Sequence, residues 1–198
     1  MEIREREVLP ELLLKLEEPA EQDPVLDWEA VFGNRQPVEI EIGIGKGRYI
    51  IAAAQAQPQT NFVGIEWASK YLRLALDRGQ KRRLTNLRLV RADAREFVEF
   101  FVPTASVRAF HLYFPDPWPK KRHHKRRLFN ASFLAEVART LEPGGRLWLA
   151  TDHEDYFAAM QEVLAADPHF LEVEADWGEV KTNYEETAYR QLQAELAK

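Results

Sequence analysis

The chain has 198 residues, a net charge of −5 and no cysteine. This length is enough for one substantial α/β domain and too short for two of ordinary size. Without cysteine, disulfide bonds and thiolate chemistry are excluded, and we expect a cytoplasmic protein. Apolar runs such as Leu147 to Ala150 are far shorter than the roughly 20 residues of a membrane span, so we expect a soluble protein with no membrane partner.

Three prolines interrupt the first 36 residues, which we interpret as an N-terminal extension (1–36) that lies on a single domain (37–198). One short helix is predicted near the end of the extension. Asp27 is a favourable N-cap and Gly33 a favourable stop signal for a helix from Trp28 to Phe32.

From Val38 onward, apolar strand signals alternate with helical patterns. Strands separated by helices in this way predict a parallel sheet with helices on both faces. In chain order the first predicted elements are strand Val38 to Ile42, a helix of about ten residues ending before Pro58, strand Asn61 to Ile65, a helix from about Ala68, strand Leu87 to Val90, a helix near Arg95 to Phe101 and strand Arg108 to Phe114.

The remaining elements follow the same alternation. They are a helix from about Asn130 to the stop signal at Pro143-Gly144-Gly145, strand Arg146 to Ala150, a helix with Thr151 and Glu154 at capping-box spacing, and strand Phe170 to Glu174.

The helix after the second strand has a clear period of 3.6 residues, which separates an apolar face from a basic one. The apolar face carries Ala68, Leu72, Ala75, Leu76 and Gly79, and the other face carries Lys70, Arg73, Arg78, Lys81 and Arg82.

A glycine-rich loop lies where the first strand turns into the first helix of the domain. Its glycines are Gly43, Gly45 and Gly47. Glycine at this position permits a tight turn and lets the backbone approach a ligand closely. The spacing is G-x-G-x-G, whereas dinucleotide sites have the third glycine one place later.

Acidic residues lie at the ends of the first four strands, namely Glu41, Glu66, Asp93 and Asp116. The carboxyl ends of parallel strands meet at one edge of the sheet, so we expect these side chains around one crevice. Such a crevice would repel a pyrophosphate but suit a ligand with a positive charge, an amino group and ribose hydroxyls, as S-adenosyl-L-methionine has. The alternative is that these acids cap turns and helices.

The fourth strand runs into a loop in which Pro115, Pro117 and Pro119 alternate, so neither strand nor helix can continue and Asp116 is held on a stiff turn. Residues 120–127 follow directly and contain six lysines or arginines and two histidines. This basic segment (120–127) predicts a site for phosphate groups despite the negative net charge. The alternative is a solvated charged loop.

The run from Phe114 to Arg127, FPDPWPKKRHHKRR, resembles the bacterial tRNA (guanine-N7)-methyltransferase family. The glycine loop, Thr151-Asp152 and Thr182-x-Tyr-Glu185 support the resemblance, which extends over residues 38–186. It implies a Rossmann-like class I methyltransferase fold: α/β, with a mostly parallel twisted sheet and an antiparallel C-terminal edge strand. The implied activity is methylation of N7 of guanosine 46 in the tRNA variable loop, with S-adenosyl-L-methionine as cofactor and S-adenosyl-L-homocysteine as product.

The resemblance also implies roles for individual residues. Asp116 would be the active-site acid. Cofactor contacts would be Glu41, Gly43, Gly45, Gly47, Glu66, Asp93 and Asp116. Substrate and RNA contacts would be Lys120, Lys121, Arg122, Lys125, Arg126, Asp152, Thr182, Asn183, Tyr184 and Glu185.

Some interpretations stay open at this point. Asp152 is equally well a helix N-cap, and Trp118 is either a stacking residue or a packing anchor. After Glu185 the family commonly has a glycine and a closing strand, whereas residues 186–190 contain no glycine, so the tail through Lys198 has a helical alternative.

Guanine N7 carries a lone pair and no proton near neutral pH, so we expect direct in-line transfer without a general base, aided by carboxylates that stabilise developing positive charge. An NAD-dependent oxidoreductase, a non-catalytic RNA-binding protein on this fold and a methyltransferase for another RNA or an exocyclic nitrogen are the alternatives. We expect no metal, because His123 and His124 have no partner at ligand spacing. Monomer and homodimer are both open.

Overall fold

The computed structural model describes residues 12–16, 26–173 and 190–196. Among them, no helix is long and apolar enough to cross a membrane. In chain order the elements are α1 (Trp28–Phe32), β1 (Val38–Ile42), α2 (Arg48–Ala56), β2 (Asn61–Ile65), α3 (Ser69–Lys81), β3 (Leu87–Val90), α4 (Ala94–Phe101), β4 (Val107–Tyr113), a 3₁₀ helix (Lys121–Arg126), α5 (Ala131–Thr140), β5 (Leu141–Thr151), α6 (Glu154–Ala165), β6 (Phe170–Val173) and β7 (Arg190–Leu196).

The described strands form one sheet in the order β3-β2-β1-β4-β5-β7-β6. Strands β1 to β5 pair in parallel, and β7 is antiparallel to both of its neighbours, β5 and β6. The expected antiparallel C-terminal strand is therefore present, one place in from the edge that β6 forms. A helical tail is wrong for residues 190–196, because there the backbone bonds to a strand on each side.

Helices cover both faces of the sheet, as expected. The alternation of side chains along each strand divides the apolar residues into two cores. One core packs α1, α4, α5 and α6 against one face of the sheet, and the other packs α2 and α3 against the opposite face. Strands β2 to β5 contribute side chains to both cores. In β1, Val38, Ile40 and Ile42 belong to the first core, so Glu39 and Glu41 point to the face that α2 and α3 cover.

Two predicted boundaries are wrong in the second half of the domain. Helix α5 ends at Thr140 instead of Pro143, because β5 already begins at Leu141 and bulges before it resumes regular pairing with β4 at Arg146. The capping box at the start of α6 is also absent. His153 is the N-cap, and the Thr151 hydroxyl accepts the His153 amide at 3.2 Å.

The described parts of the predicted N-terminal extension pack on the sheet. Leu13 forms a parallel bridge to Leu89 of β3, and the indole nitrogen of Trp28 donates to the hydroxyl of Ser106 at 3.1 Å. Helix α1 has the predicted caps, Asp27 and Gly33. The division of the chain into 1–36 and 37–198 stays a prediction.

Gly47 and Gly33 allow a matched test of the packing of α2 on α3. Both have a left-handed backbone, with φ of 70° and 72°. A β-carbon at Gly47 would lie 2.8 Å from the β-carbon of Ala75, whereas at Gly33 it would meet no atom of the described residues within 4 Å. We therefore expect Gly47→Ala to lower the free energy of unfolding by about 1–3 kcal/mol more than Gly33→Ala, measured by urea denaturation. Equal effects of the two substitutions would mean that α2 and α3 are not in close contact there.

Candidate functional site

A cavity of about 680 Å³ opens at the carboxyl ends of β1, β2, β3 and β4. The strand order reverses between β1 and β4, and ligands of open α/β sheets bind at such a switch point. The volume lies within the range of small-molecule sites. Of the residues predicted for the site, the cavity is lined by Gly43, Gly45, Glu66, Asp93, Asp116 and Arg126.

The glycine loop is held against the end of β2 by Glu66. One carboxylate oxygen accepts the amide of Gly45 at 2.8 Å, and the other accepts the amide of Ala68 at 2.7 Å. Gly43 and Gly45 have positive φ, which glycine adopts without strain. Each carboxylate oxygen has two lone pairs, so Glu66 keeps acceptor capacity on its cavity side.

Glu41 is fully buried and does not line the cavity. Its carboxyl accepts a hydrogen bond from the amide of Ile50 in the first turn of α2. The N-cap of this helix is Gly47, which has no side chain to accept a hydrogen bond from that turn, so Glu41 takes over this function. Its Oε2 atom has no hydrogen-bond partner among the residues that the structure describes. Burial raises the pKa of Glu41 to about 8, and the nearby Glu66 carboxylate adds to the shift. The role of Glu41 as a cofactor contact stays a prediction.

Asp93 combines the two functions that the sequence left open. It is the N-cap of α4, where its Oδ1 accepts the amides of Arg95 at 2.8 Å and Glu96 at 3.3 Å, and it also lines the cavity. Both of these bonds use Oδ1, so capping leaves the second carboxylate oxygen for a ligand.

The loop after β4 holds Asp116 in a constrained backbone. Phe114 and Trp118 have φ of 52° and 44°, the left-handed region that residues other than glycine rarely adopt. Strain of this kind is found where the surrounding structure fixes a functional loop. Asp116 lies between them, exposed at the mouth of the cavity.

The basic segment forms the 3₁₀ helix beside this loop. Lys120, Lys121, Arg122 and Lys125 are exposed and do not line the cavity. Arg126 does line it, and its guanidinium lies over the ring of Trp118, 5.0 Å from the centroid. The segment therefore presents exposed positive charge beside the cavity.

Arg127 corrects the predicted extent of the RNA-contacting segment. It is buried and donates to the carbonyl of Pro117 at 2.9 Å and to the Asp155 carboxylate of α6. The bond from Arg127 holds the pKa of Asp155 below its ordinary value. Its guanidinium also lies over the ring of Tyr156, at 4.7 Å. Arg127 thus anchors the proline-rich loop, because its charge is already paired inside the protein.

The remaining predicted substrate contacts fall away from this cavity or outside the described residues. Asp152 is exposed between β5 and α6 and does not line the cavity. Its interpretation as an N-cap is wrong, since His153 occupies that position. Thr182, Asn183, Tyr184 and Glu185 lie outside the described residues. Over the described ranges, no group of three or more metal-ligating side chains comes together.

Sequence reasoning missed a buried polar network under the cavity. His111 of β4 bonds to Glu39 at 2.9 Å through Nε2 and to the hydroxyls of Tyr113 at 2.9 Å and Tyr49 at 3.1 Å through Nδ1. Burial alone would raise the pKa of Glu39, but bonds from His111 and Arg108 hold it below its ordinary value. Tyr113 lines the cavity, so the network supports its floor.

A weak signal for this network exists in the sequence. The alternation in Val38 to Ile42 places Glu39 and Glu41 on one face of a strand that is buried throughout. A charged group on such a face needs a partner, and β4 offers a single histidine within an apolar run.

Comparison with known proteins extends this description. A family model described as "Putative methyltransferase" matches residues 35–196. The chain is 44% identical over 165 residues to the tRNA (guanine-N(7)-)-methyltransferase of Bordetella pertussis, covering 83% of this chain and 65% of that protein. It is 36% identical to the protein of the same name from Nitrosomonas eutropha, covering 87% of this chain and 77% of that protein.

Solved structures share the fold. TrmN from Thermus thermophilus matches 85% of this chain, and 46% of its own, with a TM-score of 0.60 and 22% identity. A SAM-dependent O-methyltransferase from Thermotoga maritima matches 86% of this chain, and 63% of its own, with a TM-score of 0.58 and 18% identity. The architecture is therefore that of the Rossmann-like class I methyltransferases.

Within that class, the chain belongs to the tRNA (guanine-N(7)-)-methyltransferase family, because the sequence similarity extends over most of its length. The resemblance carried by the run from Phe114 to Arg127 is thereby confirmed. The chain spans about 65% of the length of the Bordetella relative.

Glu41→Gln should change the pH dependence of stability. The folded protein holds a proton on Glu41 up to a pKa of about 8, whereas the unfolded chain releases it near 4.5. The unfolded state binds fewer protons between these values, so Glu41 makes stability fall as pH rises through that window. A glutamine does not titrate. We expect Glu41→Gln to match the wild type near pH 4.5 and to be more stable by roughly 2 to 4 kcal/mol near pH 9.

Urea denaturation across this pH range measures the effect. Glu172→Gln, which changes an exposed carboxyl on edge strand β6, is the control and should leave the difference from wild type constant. If the free energy of unfolding of Glu41→Gln differed from that of the wild type by the same amount at every pH, Glu41 would not hold a proton in the folded protein.

Proposed function

We propose that this protein methylates N7 of guanosine 46 in the variable loop of tRNA, with S-adenosyl-L-methionine as methyl donor. One observation carries the proposal. A cavity of small-molecule size lies between a glycine loop and a strained acidic turn, and an exposed cationic segment adjoins its mouth. The names of the relatives support the substrate and the reaction. A cytoplasmic location is part of the same proposal, since its substrate is tRNA.

The residues present fit a cofactor with a positive charge, an amino group and ribose hydroxyls. Glu66 and Asp93 present carboxylates to the cavity, and the backbone of Gly43 and Gly45 leaves room for close approach. The unpartnered Oε2 of Glu41 is a buried acceptor beneath the same loop, which suits an amino group. When bound, S-adenosyl-L-methionine supplies an electrophilic methyl group on a cationic sulfur.

Asp116 is the residue of the chain best placed to act on the purine. Because N7 of guanine bears a lone pair and no proton near neutral pH, the chain need not supply a general base. The positive charge that develops on the purine is stabilised by the fixed carboxylate of Asp116 at the cavity mouth. A carboxylate there can also accept hydrogen bonds from the N1 and exocyclic amino groups of guanine, which orients the base.

The exposed part of the basic segment, Lys120 to Arg126, binds the phosphates of the folded RNA in this proposal. N7 lies on the major-groove edge of a base that is stacked in folded tRNA, so the base must leave its stack to enter the cavity. The half-exposed ring of Trp118 beside Asp116 offers that base a stacking surface. A nicotinamide dinucleotide fits less well, because the carboxylates of Glu66 and Asp93 that line the cavity would repel its pyrophosphate.

Asp116→Ala tests the catalytic assignment. We expect at least about a 100-fold loss of kcat/KM for tRNA methylation, because a preorganised charge at the reacting base is removed. Its exposed position predicts a change in stability within about 0.5 kcal/mol. Nucleoside mass spectrometry of treated tRNA measures 7-methylguanosine directly. Glu99→Ala, at an exposed carboxylate of α4 that does not line the cavity, should behave as wild type. Wild-type turnover by Asp116→Ala would refute the role.

Replacing Lys121, Arg122 and Lys125 together by glutamine tests the RNA-contacting segment. Removing one cation that binds a phosphate should lower the slope of log Kd against log salt by about 1, so we expect weaker tRNA binding and a slope smaller by up to about 3. The affinity for S-adenosyl-L-methionine should stay as in wild type, because none of the three lines the cavity. A slope that does not change would count against the segment.

A further inference from the structure

Trp67 and Ala68, which lie between β2 and α3, line the cavity together with Tyr71 in the first turn of α3. Because β2 and β4 lie on opposite sides of β1, this wall is on the other side of the cavity from the loop of Asp116 and Trp118. The helix is fixed to the glycine loop at two points. Glu66 accepts the amides of Gly45 and Ala68, and the guanidinium of Arg78 donates to the carbonyl of Lys46 at 2.8 Å. The outer side of α3 therefore has a defined position relative to the cavity mouth.

This outer side is strongly basic. Lys70, Arg73, Lys81 and Arg82 are all exposed. Between Ser69 and Arg82 the sequence contains one acidic residue, Asp77, and its carboxylate is paired with Lys81 at 2.6 Å. An excess of positive charge on one helix of a chain with a net charge of −5 is a local feature that general solubility does not require.

Large apolar side chains are interleaved with these cations. Trp67 is 65% exposed, Tyr71 40% and Leu74 39%, which makes them three of the five exposed large apolar residues found in the described part of the chain. Tyr71 and Leu74 are three residues apart and therefore neighbours on the surface of α3, and Trp67 directly precedes the N-cap of the helix, Ala68. The guanidinium of Arg91 lies over the Trp67 ring, 5.5 Å from its centroid, and donates to the Trp67 carbonyl, which holds that ring in place.

We propose that Trp67 and the outer side of α3 form a second contact surface for tRNA, on the side of the cavity opposite the basic segment. The inference rests on the proposed function and adds a binding surface to it. Lys70 and Arg73 contact phosphates. The exposed apolar side chains contact sugars or unstacked bases near the target guanosine.

Charge and composition favour RNA as the occupant. An ordinary solvated helix face mixes both signs of charge and does not expose a tryptophan, a tyrosine and a leucine close together in sequence. A protein partner would require an acidic face opposite the cations. Cations interleaved with aromatic rings are the composition of surfaces that bind unpaired nucleic acid.

The dimensions agree with this assignment. The 13 residues of α3 extend for about 20 Å. A base that enters the cavity must leave its stack, so the strand on each side of it must be held. The basic segment can hold one side of the strand and α3 the other.

Reversal of two charges tests the surface. In Lys70→Glu combined with Arg73→Glu, both positions are exposed and neither lines the cavity. We expect Kd for tRNA to rise by roughly tenfold or more, and the slope of log Kd against log salt to fall by about 2. Kd for S-adenosyl-L-methionine should equal that of wild type. Fluorescence anisotropy with labelled tRNA and calorimetry with the cofactor give these values.

A matched control reverses two charges at the other end of the sheet. Arg35 lies just before β1. Arg146 pairs with Ala109, which in turn pairs with Glu39 near the start of β1, so both arginines lie at the amino ends of the parallel strands. Both are exposed. Arg35→Glu combined with Arg146→Glu changes the net charge equally and should leave the tRNA slope as in wild type. Lys70→Gln combined with Arg73→Gln provides the same test without reversal, should the reversed variant fail to fold.

The outcomes separate this inference from the proposed function. The proposed surface would be contradicted if the α3 variant kept the wild-type Kd for tRNA and the wild-type salt slope. It would also be contradicted if the control variant lost as much tRNA affinity as the α3 variant. A change of oligomeric state in sedimentation without tRNA would also overturn it, because α3 would then be a protein interface. The binding assay does not depend on methylation. If the wild-type protein binds tRNA without methylating it, the proposed function is contradicted, but the contribution of α3 to tRNA binding can still be measured. A wild type without affinity for tRNA would overturn both.

Discussion

The two hydrogen bonds that Glu66 accepts organise the site. Through the amides of Gly45 and Ala68, a single carboxylate at the end of β2 fixes both the glycine loop and the start of α3. The loop forms one boundary of the cavity and the helix forms another, so the shape of the cavity follows from this contact. Removing the carboxylate would leave two amides without acceptors and two elements without a common reference point.

Opposite Glu66, Arg127 has a comparable function for the loop that carries Asp116. It links the Pro117 carbonyl to α6 through Asp155, and Arg95 of α4 in turn donates to the Arg127 carbonyl at 2.5 Å. A buried charge is retained when it is paired and hydrogen-bonded, as this one is. The strained backbone at Phe114 and Trp118 is thus held between β4 and α6, and the exposed cations of the basic segment remain available to a ligand.

The electrostatics of the site divide its acids into two groups. Glu66, Asp93 and Asp116 reach the cavity, and two of them already accept backbone amides. Glu41 lies behind the loop, where burial favours its neutral form. A cationic ligand in the cavity would favour the ionised form of every one of these groups, because opposite charges stabilise each other in a site of low dielectric constant. We therefore expect the charge state of Glu41 to respond to cofactor binding.

Short-range signals in the sequence determined the elements and the family. The caps Asp27 and Gly33 and the strands β1, β2 and β3 agree with their patterns, because caps and periodicity are complete within a few residues. The run from Phe114 to Arg127 was distinctive enough to identify the family. Tertiary structure alone decided the burial of Glu41 beneath α2, the pairing of Arg127 with Asp155 and the place of β7 between β5 and β6. Each of these depends on which distant segments meet, and a local pattern contains no information about its partner.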